Sequence, residues 1–372
     1  MYDIAVKMLL ADRRKLVTAL VGVAFSIILM NFQGGLFIGL IRKASLLIDH
    51  SEADLWVGHK KIHSVDFSKD VPRRWLQQIR SESGVERAAE YIVGYQHMNL
   101  PDGGYEMVIV VGVDPDTLLG NAWNIREGHA ERIREPQAIV VDVHDQDKIG
   151  AIAIGDTREI GGVRARVVAL SEGILGFTVT PYVFASLDDA TIMTSKSPES
   201  CSYFLVEVAD GSDIATVQKR LQHALPNAAV YTKAGYSKRS VTFWLTRTGI
   251  GVSFALTTII GLFVGLIVVG QSLYSSVIDR IEDYGTLVAL GAKRVQLLWL
   301  LILQACILAA AGIAIGLMTV FVLQMVFSVP RAPIEVPWYL SLSSCCLSLA
   351  SCLVCAALPY RKLRLLDPAM IV

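Results

Sequence analysis

The stretch Asp279-Arg-Ile-Glu-Asp-Tyr-Gly-Thr-Leu-Val-Ala-Leu-Gly-Ala-Lys-Arg294 is a short charged island between two long windows without ionisable residues, Thr248 to Ile278 and Val295 to Pro330. Two further windows of the same kind, Leu16 to Ile41 and Val336 to Tyr360, lie near the ends of the chain. Each exceeds the ~20 residues that cross ~30 Å of hydrocarbon, so all four are expected to span a membrane. The first window follows Arg13, Arg14 and Lys15, but its 26 residues outrun the ~7–15 of a secretory signal core, which favours an uncleaved anchor. The composition agrees: 53% of the 372 residues are hydrophobic and 18% charged, with mean hydropathy +0.48. Soluble domains run nearer 45–50% and about 25%. A formal net charge of zero leaves no basic field for nucleic acid, which is therefore not expected as a partner.

Basic residues near the window ends fix an orientation. Lys7 and Arg13 to Lys15 precede the first window, Arg280, Lys293 and Arg294 lie in the island, and Arg361, Lys362 and Arg364 follow the last. These segments are read as cytoplasmic. The connection 328–335, with Pro330 and Pro333, is read as a tight outer turn. The expected order is then a cytoplasmic amphipathic N-terminus (1–15), a first span (16–41), a large outer domain (42–247), a second span (248–278), a cytoplasmic helix (279–294), a third span (295–327), the outer turn (328–335), a fourth span (336–360) and a cytoplasmic tail (361–372). The fold class is a four-helix membrane protein with a large α/β extracytoplasmic domain between helices 1 and 2.

Inside the outer block, Asp54–His59, Val85–Asn99, Glu106–Val113, Tyr203–Val208 and Ala228–Thr232 read as strands, and Asp213–Ala224 as an amphipathic helix. A second helix is expected over Pro72–Ser83, opening on its proline. Residues 114–200 are strand-rich and punctuated by glycine, which suggests an inserted β-rich subdomain. Lys43 to Ser51 and Gly235 to Thr246 read as helical stalks at the two ends of the block.

Chemistry is sparse. Five of the six cysteines lie in membrane windows and Cys201 is alone outside, so no disulfide is expected there. His59 and His63 have i, i+4 spacing but fall at a strand end, and the Asp142, His144, Asp145, Asp147 cluster lacks the glycine and glutamate of a calcium loop. No phosphate loop or nucleophile elbow is present, so neither catalytic residues nor a bound cofactor are expected. The windows hold no ionisable relay, only Asn31, Gln33, Gln271, Gln304 and Gln324. Energy must come from outside the chain. Four helices enclose no path, so a homodimer is expected, joined through Gly34, Gly35 and Gly39 of helix 1 and the G-x-x-x-G pair Gly261 and Gly265 of helix 2. The island itself, with Leu287 to Leu290 bounded by Gly285 and Gly291, reads as a short helix with an apolar face that docks a partner, or alternatively lies on lipid headgroups.

The island's Glu282, Gly285, Leu287, Ala289, Leu290, Gly291 and Ala292 form an E-x-x-G-x-L-x-A-L-G-A pattern, and Leu358-Pro-Tyr-Arg-Lys-Leu-Arg-Leu-Leu-Asp-Pro368 is similar to a P-x-R-x-A-x-x-x-x-P ending. In these motifs and in its layout the chain resembles permeases of the MacB-like (type VII) ABC transporter superfamily. Asp12-Arg-Arg-Lys-Leu-Val17 and Ala53-Asp-Leu-Trp-Val57 look closest to the heterocyst-glycolipid-exporter branch. The resemblance implies a bacterial inner-membrane permease without its engine: a cytoplasmic ABC ATPase dimer holding ATP-Mg would grip Glu282, Tyr284, Gly285, Leu287, Ala289, Leu290, Gly291 and Ala292. It also implies a periplasmic membrane-fusion adaptor with an outer-membrane channel. With about 15 residues before helix 1, the ATPase is expected as a separate subunit. Activation of a cell-wall hydrolase and lipoprotein release are the alternative outputs of the same architecture.

Overall fold

The computed structural model describes residues 2–10, 12–279, 281, 284, 286 and 292–364. In chain order its helices are α1 (Tyr2–Leu10), α2 (Arg13–Arg42), α3 (Leu46–Asp49), α4 (Trp75–Ser81), α5 (Gln146–Ile149), α6 (Leu187–Met193), α7 (Ile214–Ala224), α8 (Lys233–Arg247), α9 (Ile250–Ile278), α10 (Arg294–Phe327) and α11 (Trp338–Arg364). The strands are β1 (Leu55–His59), β2 (Val71–Pro72), β3 (Val85–Asn99), β4 (Tyr105–Val113), β5 (Ile125–Gly128), β6 (Ala138–Asp142), β7 (Thr157–Ile160), β8 (Val163–Ser171), β9 (Tyr182–Ser186), β10 (Ser200–Cys201), β11 (Tyr203–Val208) and β12 (Ala228–Thr232). The chain divides into a helical unit, residues 1–39 with 251–372, and an α/β unit, residues 40–250.

Among the described residues, four helices are long and apolar enough to cross a membrane, within Arg13–Asp49, Ile250–Ser272, Val295–Phe327 and Trp338–Ala356. The second begins two residues later than its charge-free window because Gly249, at φ +73°, breaks the chain out of helix. In the helical unit α2 is central, and small residues set its distances. A Cβ on Gly22 would meet Val268 of α9 at 2.6 Å, and Gly312 and Gly316 of α10 face Val23 and Ile27 of α2 at 2.5 and 2.7 Å. Polar groups then register the helices. Ser26 donates to the Gly261 carbonyl at 3.2 Å, and buried Asn31 donates to Ser344 of α11 at 2.7 Å and accepts from Ser341 at 3.2 Å.

Five glycines expected at a contact between two chains have neighbours within this chain. A Cβ on Gly34 would lie 3.0 Å from Leu340, one on Gly35 2.9 Å from Val336 and one on Gly39 1.9 Å from the Pro333 carbonyl oxygen, while Gly261 and Gly265 face Leu29 and Ser26 of α2. Their bare surfaces are filled from inside the chain. They let α2, α9 and the 328–337 turn approach one another within the chain. The G-x-x-x-G pair Gly312 and Gly316 does the same for α10.

In the α/β unit the strands join, among the described residues, in a ten-stranded sheet of order β12-β1-β11-β3-β4-β9-β6-β8-β5, with β7 pairing β3 and β8. Both faces are covered, so β1 is buried along nearly its whole length instead of alternating. Leu55 and Val57 point to the face carrying Ile79 of α4, Val217 and Leu221 of α7 and Met193 of α6. Trp56 points to the other, with Tyr91, Tyr203, Tyr236 of α8 and Leu47 of α3. Two expectations are corrected here. Residues 114–200 are not a separate subdomain, because β9 pairs in parallel with β4 and carries β6 and β8 onward in the same sheet. The helix expected from Pro72 starts at Trp75, because Val71 and Pro72 pair with Cys201 and Ser200.

The β7–β8 hairpin closes through Gly161 and Gly162, at φ +57° and +81°, a two-residue turn that needs two left-handed residues. Beyond that strain, a Cβ on Gly161 would lie 2.1 Å from the Met193 carbonyl oxygen, whereas Gly162 has nothing within 4 Å. Gly161→Ala is therefore expected to destabilise the α/β unit by about 3 kcal/mol and Gly162→Ala by about 1 kcal/mol. Urea unfolding of the two variants checks the difference; equal midpoints would contradict it.

Candidate functional site

The first candidate locus is the end of the helical unit that carries residues 279–294. Lys15 pairs with Asp279 across the ends of α2 and α9, lies 3.7 Å from Asp12, and donates to the Ser275 carbonyl at 3.3 Å. Ser272 donates to the Lys15 carbonyl at 2.9 Å. The C-terminal end of α9 suits a lysine, because its terminal carbonyls carry the negative end of the helix dipole and Asp279 adds a negative charge of its own. Of the residues expected to dock an ATPase, Glu282, Gly285, Leu287, Ala289, Leu290 and Gly291 lie outside the described residues. Ala292 is half-buried beside the start of α10. Tyr284 points inward: it is 1% exposed, and its hydroxyl lies 3.4 Å from the Gln304 side-chain oxygen of α10.

The second locus is a joint in the α/β unit where both chain ends meet the sheet. Tyr236, Ser240 and Trp244 of α8 recur every four residues and are buried on one face. Ser240 donates to the Ala44 carbonyl, which binds the segment before α3 to α8. The loop following β1 is wedged beside them. Trp244 donates its indole N–H to Ser64 at 3.2 Å, and the Ser240 and Ser64 hydroxyls lie 3.3 Å apart. Arg239 donates to the Ile62 carbonyl at 3.0 Å, and Tyr203 of β11 donates to the Val65 carbonyl at 2.9 Å. Asp66 ends the wedge, accepting from the Tyr182 hydroxyl of β9 at 2.6 Å. One loop thus touches α8, β11 and β9.

Asp66 is 2% exposed and, among the described residues, its Oδ2 has no hydrogen-bond partner, an uncommon state for a buried carboxylate. Burial, only partly offset by the Tyr182 hydrogen bond, pushes its pKa up to about 6. Burial first, then the charge of Asp66, hold the Tyr182 phenol well above its usual value, so it remains a donor. The sequence reads Gly235 to Thr246 only as a helical stalk; the i, i+4, i+8 spacing of Tyr236, Ser240 and Trp244 is the signal that could mark its buried face, and nothing along the chain marks the loop at 62–66 as their partner.

The other chemical candidates have structural duties. His63 stacks on Phe243, and His59 accepts from the Lys61 backbone N–H at 3.1 Å. Asp142 is buried, capping the turn at His144 and accepting from Ser171 and from the Ile174 backbone at 3.0 and 2.7 Å. Cys201 is buried in the sheet core, where burial raises its thiol.

The geometry defines a class: spanning helices flanking an α/β domain whose two chain ends are joined. Residues 16–224, more than half of the chain, match the MacB-like periplasmic core domain, and residues 255–368 match the FtsX-like permease C-terminal domain. The chain belongs to the MacB-like family of ABC transporter permeases, in which ATP hydrolysis resides in a separate subunit. Among solved structures it is similar to the periplasmic region of MacB from Actinobacillus actinomycetemcomitans, at 8% identity and TM-score 0.40, over 50% of this chain and 90% of that one. It is also similar to the extracellular domain of the ABC-type transporter YknZ from Gram-positive bacteria, at 10% identity and TM-score 0.35, over 48% of this chain and 99% of that one. No curated protein matches the chain.

Proposed function

We propose that the chain is the transmembrane subunit of an ABC export system of the bacterial inner membrane. Both termini and residues 279–294 face the cytoplasm, where a separate ATPase dimer binds Glu282, Gly285, Leu287, Ala289, Leu290, Gly291 and Ala292; Tyr284, expected with them from the sequence, is buried against α10 and is left out of the docking face. Closure of that dimer on ATP moves the spanning helices of a permease homodimer, and the α/β domain passes the movement to a periplasmic adaptor and outer-membrane channel. Within this family the motifs at 12–17 and 53–57 favour the glycolipid-exporter branch.

The observation that carries the reading is the joint. The segment before α3 and the helix α8, the two chain ends of the domain, are bonded to each other through Ser240 and Ala44 and to the sheet through Ser64, Val65 and Asp66. A domain fastened in this way follows its two ends as one body. A merely tethered domain needs no such fastening.

The test is a substitution in the docking segment. Leu290→Asp puts an unpaired charge into an apolar contact, which costs several kcal/mol where no partner is supplied. At about 3 kcal/mol, recovery of the ATPase with tagged permease from native membranes would fall over 100-fold, and ATP turnover in liposomes would fall to that of the ATPase alone. Unchanged recovery and turnover would sink the docking reading and leave the segment as a lipid-surface element.

A further inference from the structure

The membrane windows contain few strongly polar side chains, and Gln304 is one whose place is now visible. It is 5% exposed on α10, and its two ends reach two different parts of the chain. Its oxygen lies 3.4 Å from the Tyr284 hydroxyl, and its amide nitrogen lies 3.9 Å from the Met8 sulfur of α1. Around this line Ala5, Met8, Tyr284, Leu297, Leu300 and Leu301 form one buried cluster.

We propose that Tyr284 is the positioning residue that couples the 279–294 segment to the membrane helices, through a relay running from Tyr284 to Gln304 of α10 and on to α1. This rests on the reading that an ATPase docks on that segment, and it adds the route by which the docked segment moves the bundle. A buried amide in an apolar setting needs partners, and here the Tyr284 hydroxyl supplies one to the Gln304 oxygen. Drawing Tyr284 out of its socket would strip the ring of its apolar contacts and leave the Gln304 oxygen unsatisfied, so a displaced segment drags α10 with it. Because Gln304 also faces Met8, a shift of α10 at this level is felt by α1. Thr286, two residues on, is exposed, whereas Tyr284 is buried.

The relay is a positioning device, so its test separates binding from transmission. Tyr284→Phe keeps the ring and removes the hydroxyl; Gln304→Met keeps the volume and removes the amide. With full-length permease in nanodiscs, each variant is expected to recover the ATPase as well as the wild type does. Each is expected to lose about fivefold of the permease-dependent stimulation of ATP turnover. The double variant should be no worse than either single one, because both remove the same interaction. A second readout needs no ATPase: amide hydrogen exchange over residues 5–9 should quicken about fivefold in Tyr284→Phe and in Gln304→Met alike. If the wild-type chain recovers no ATPase, the docking reading fails while the exchange experiment still decides the relay. Unchanged exchange in α1, or losses in the two single variants that multiply in the double, would overturn it.

Discussion

Replacement of Gly39 by leucine is expected to cost the helical unit about 4 kcal/mol or more, among the larger effects a single change produces. Gly39 lies on α2 where a Cβ would stand 1.9 Å from the Pro333 carbonyl oxygen and 2.9 Å from its carbonyl carbon. Both are backbone atoms, so no side-chain rotation relieves the clash. The turn is itself fastened: the Glu335 backbone N–H donates to the Gly35 carbonyl at 3.0 Å, and the Ile334 N–H to Ser328 at 3.1 Å. A side chain at position 39 must pry that turn from the helix. Alanine gains about 1 kcal/mol of helix propensity over glycine, so Gly39→Ala isolates the steric cost and is expected to lose a net 2 kcal/mol or so. Val21→Leu, on an exposed side of the same helix, is expected to change stability by less than about 0.5 kcal/mol. Thermal unfolding followed by size-exclusion chromatography ranks the three. A Gly39→Leu protein that melts with the wild type would show that the turn does not rest on α2 in the membrane.

The second large effect is a pH dependence of the joint. Asp66 has an ordinary carboxyl value near 3.8 when the chain is unfolded and about 6 when folded. Between these values the folded state holds the extra proton, so stability falls as pH rises from about 4 to about 6 and stays low above that. A rise of this size corresponds to about 3 kcal/mol. The loop at 62–66 is thus expected to hold α8 and β9 more firmly in mildly acidic medium than at neutral pH. Asp66→Asn keeps an acceptor for Tyr182 and cannot ionise, so it should abolish this slope, whatever its level of stability. Hydrogen exchange of β9 amides at pH 4.5 and pH 7.5, corrected for intrinsic rates, measures the difference. An identical pH dependence in wild type and variant would place the Asp66 proton elsewhere.

How much of this was readable in the chain follows from which interactions are local. Membrane-spanning helices were legible because a charge-free run longer than ~20 residues has few other stable places to go. Strands such as Tyr203–Val208 and Ala228–Thr232 were bounded by turn residues and read at their observed limits. Pairing was not legible. Nothing in residues 114–200 announces that Tyr182–Ser186 lies parallel to β4, and that register turns an apparent insert into the middle of one sheet. The glycines show the same division. Gly34, Gly35, Gly39, Gly261 and Gly265 plainly mark close approach, yet a small residue specifies only that something comes near, and tertiary packing decided that the neighbour is the chain's own turn or helix.

The candidate sites divide along the same line. The sequence by itself determined the spanning helices, the large intervening domain and the lack of any phosphate loop, because each depends on composition or spacing along the chain. Only the tertiary structure decided that Ser64 and Asp66 wedge between α8 and the sheet, and that Tyr284 meets Gln304 across 20 residues. The physical reason is that a buried polar group is satisfied by whatever partner folding delivers to it. Its need can be read in the residue, and its partner cannot.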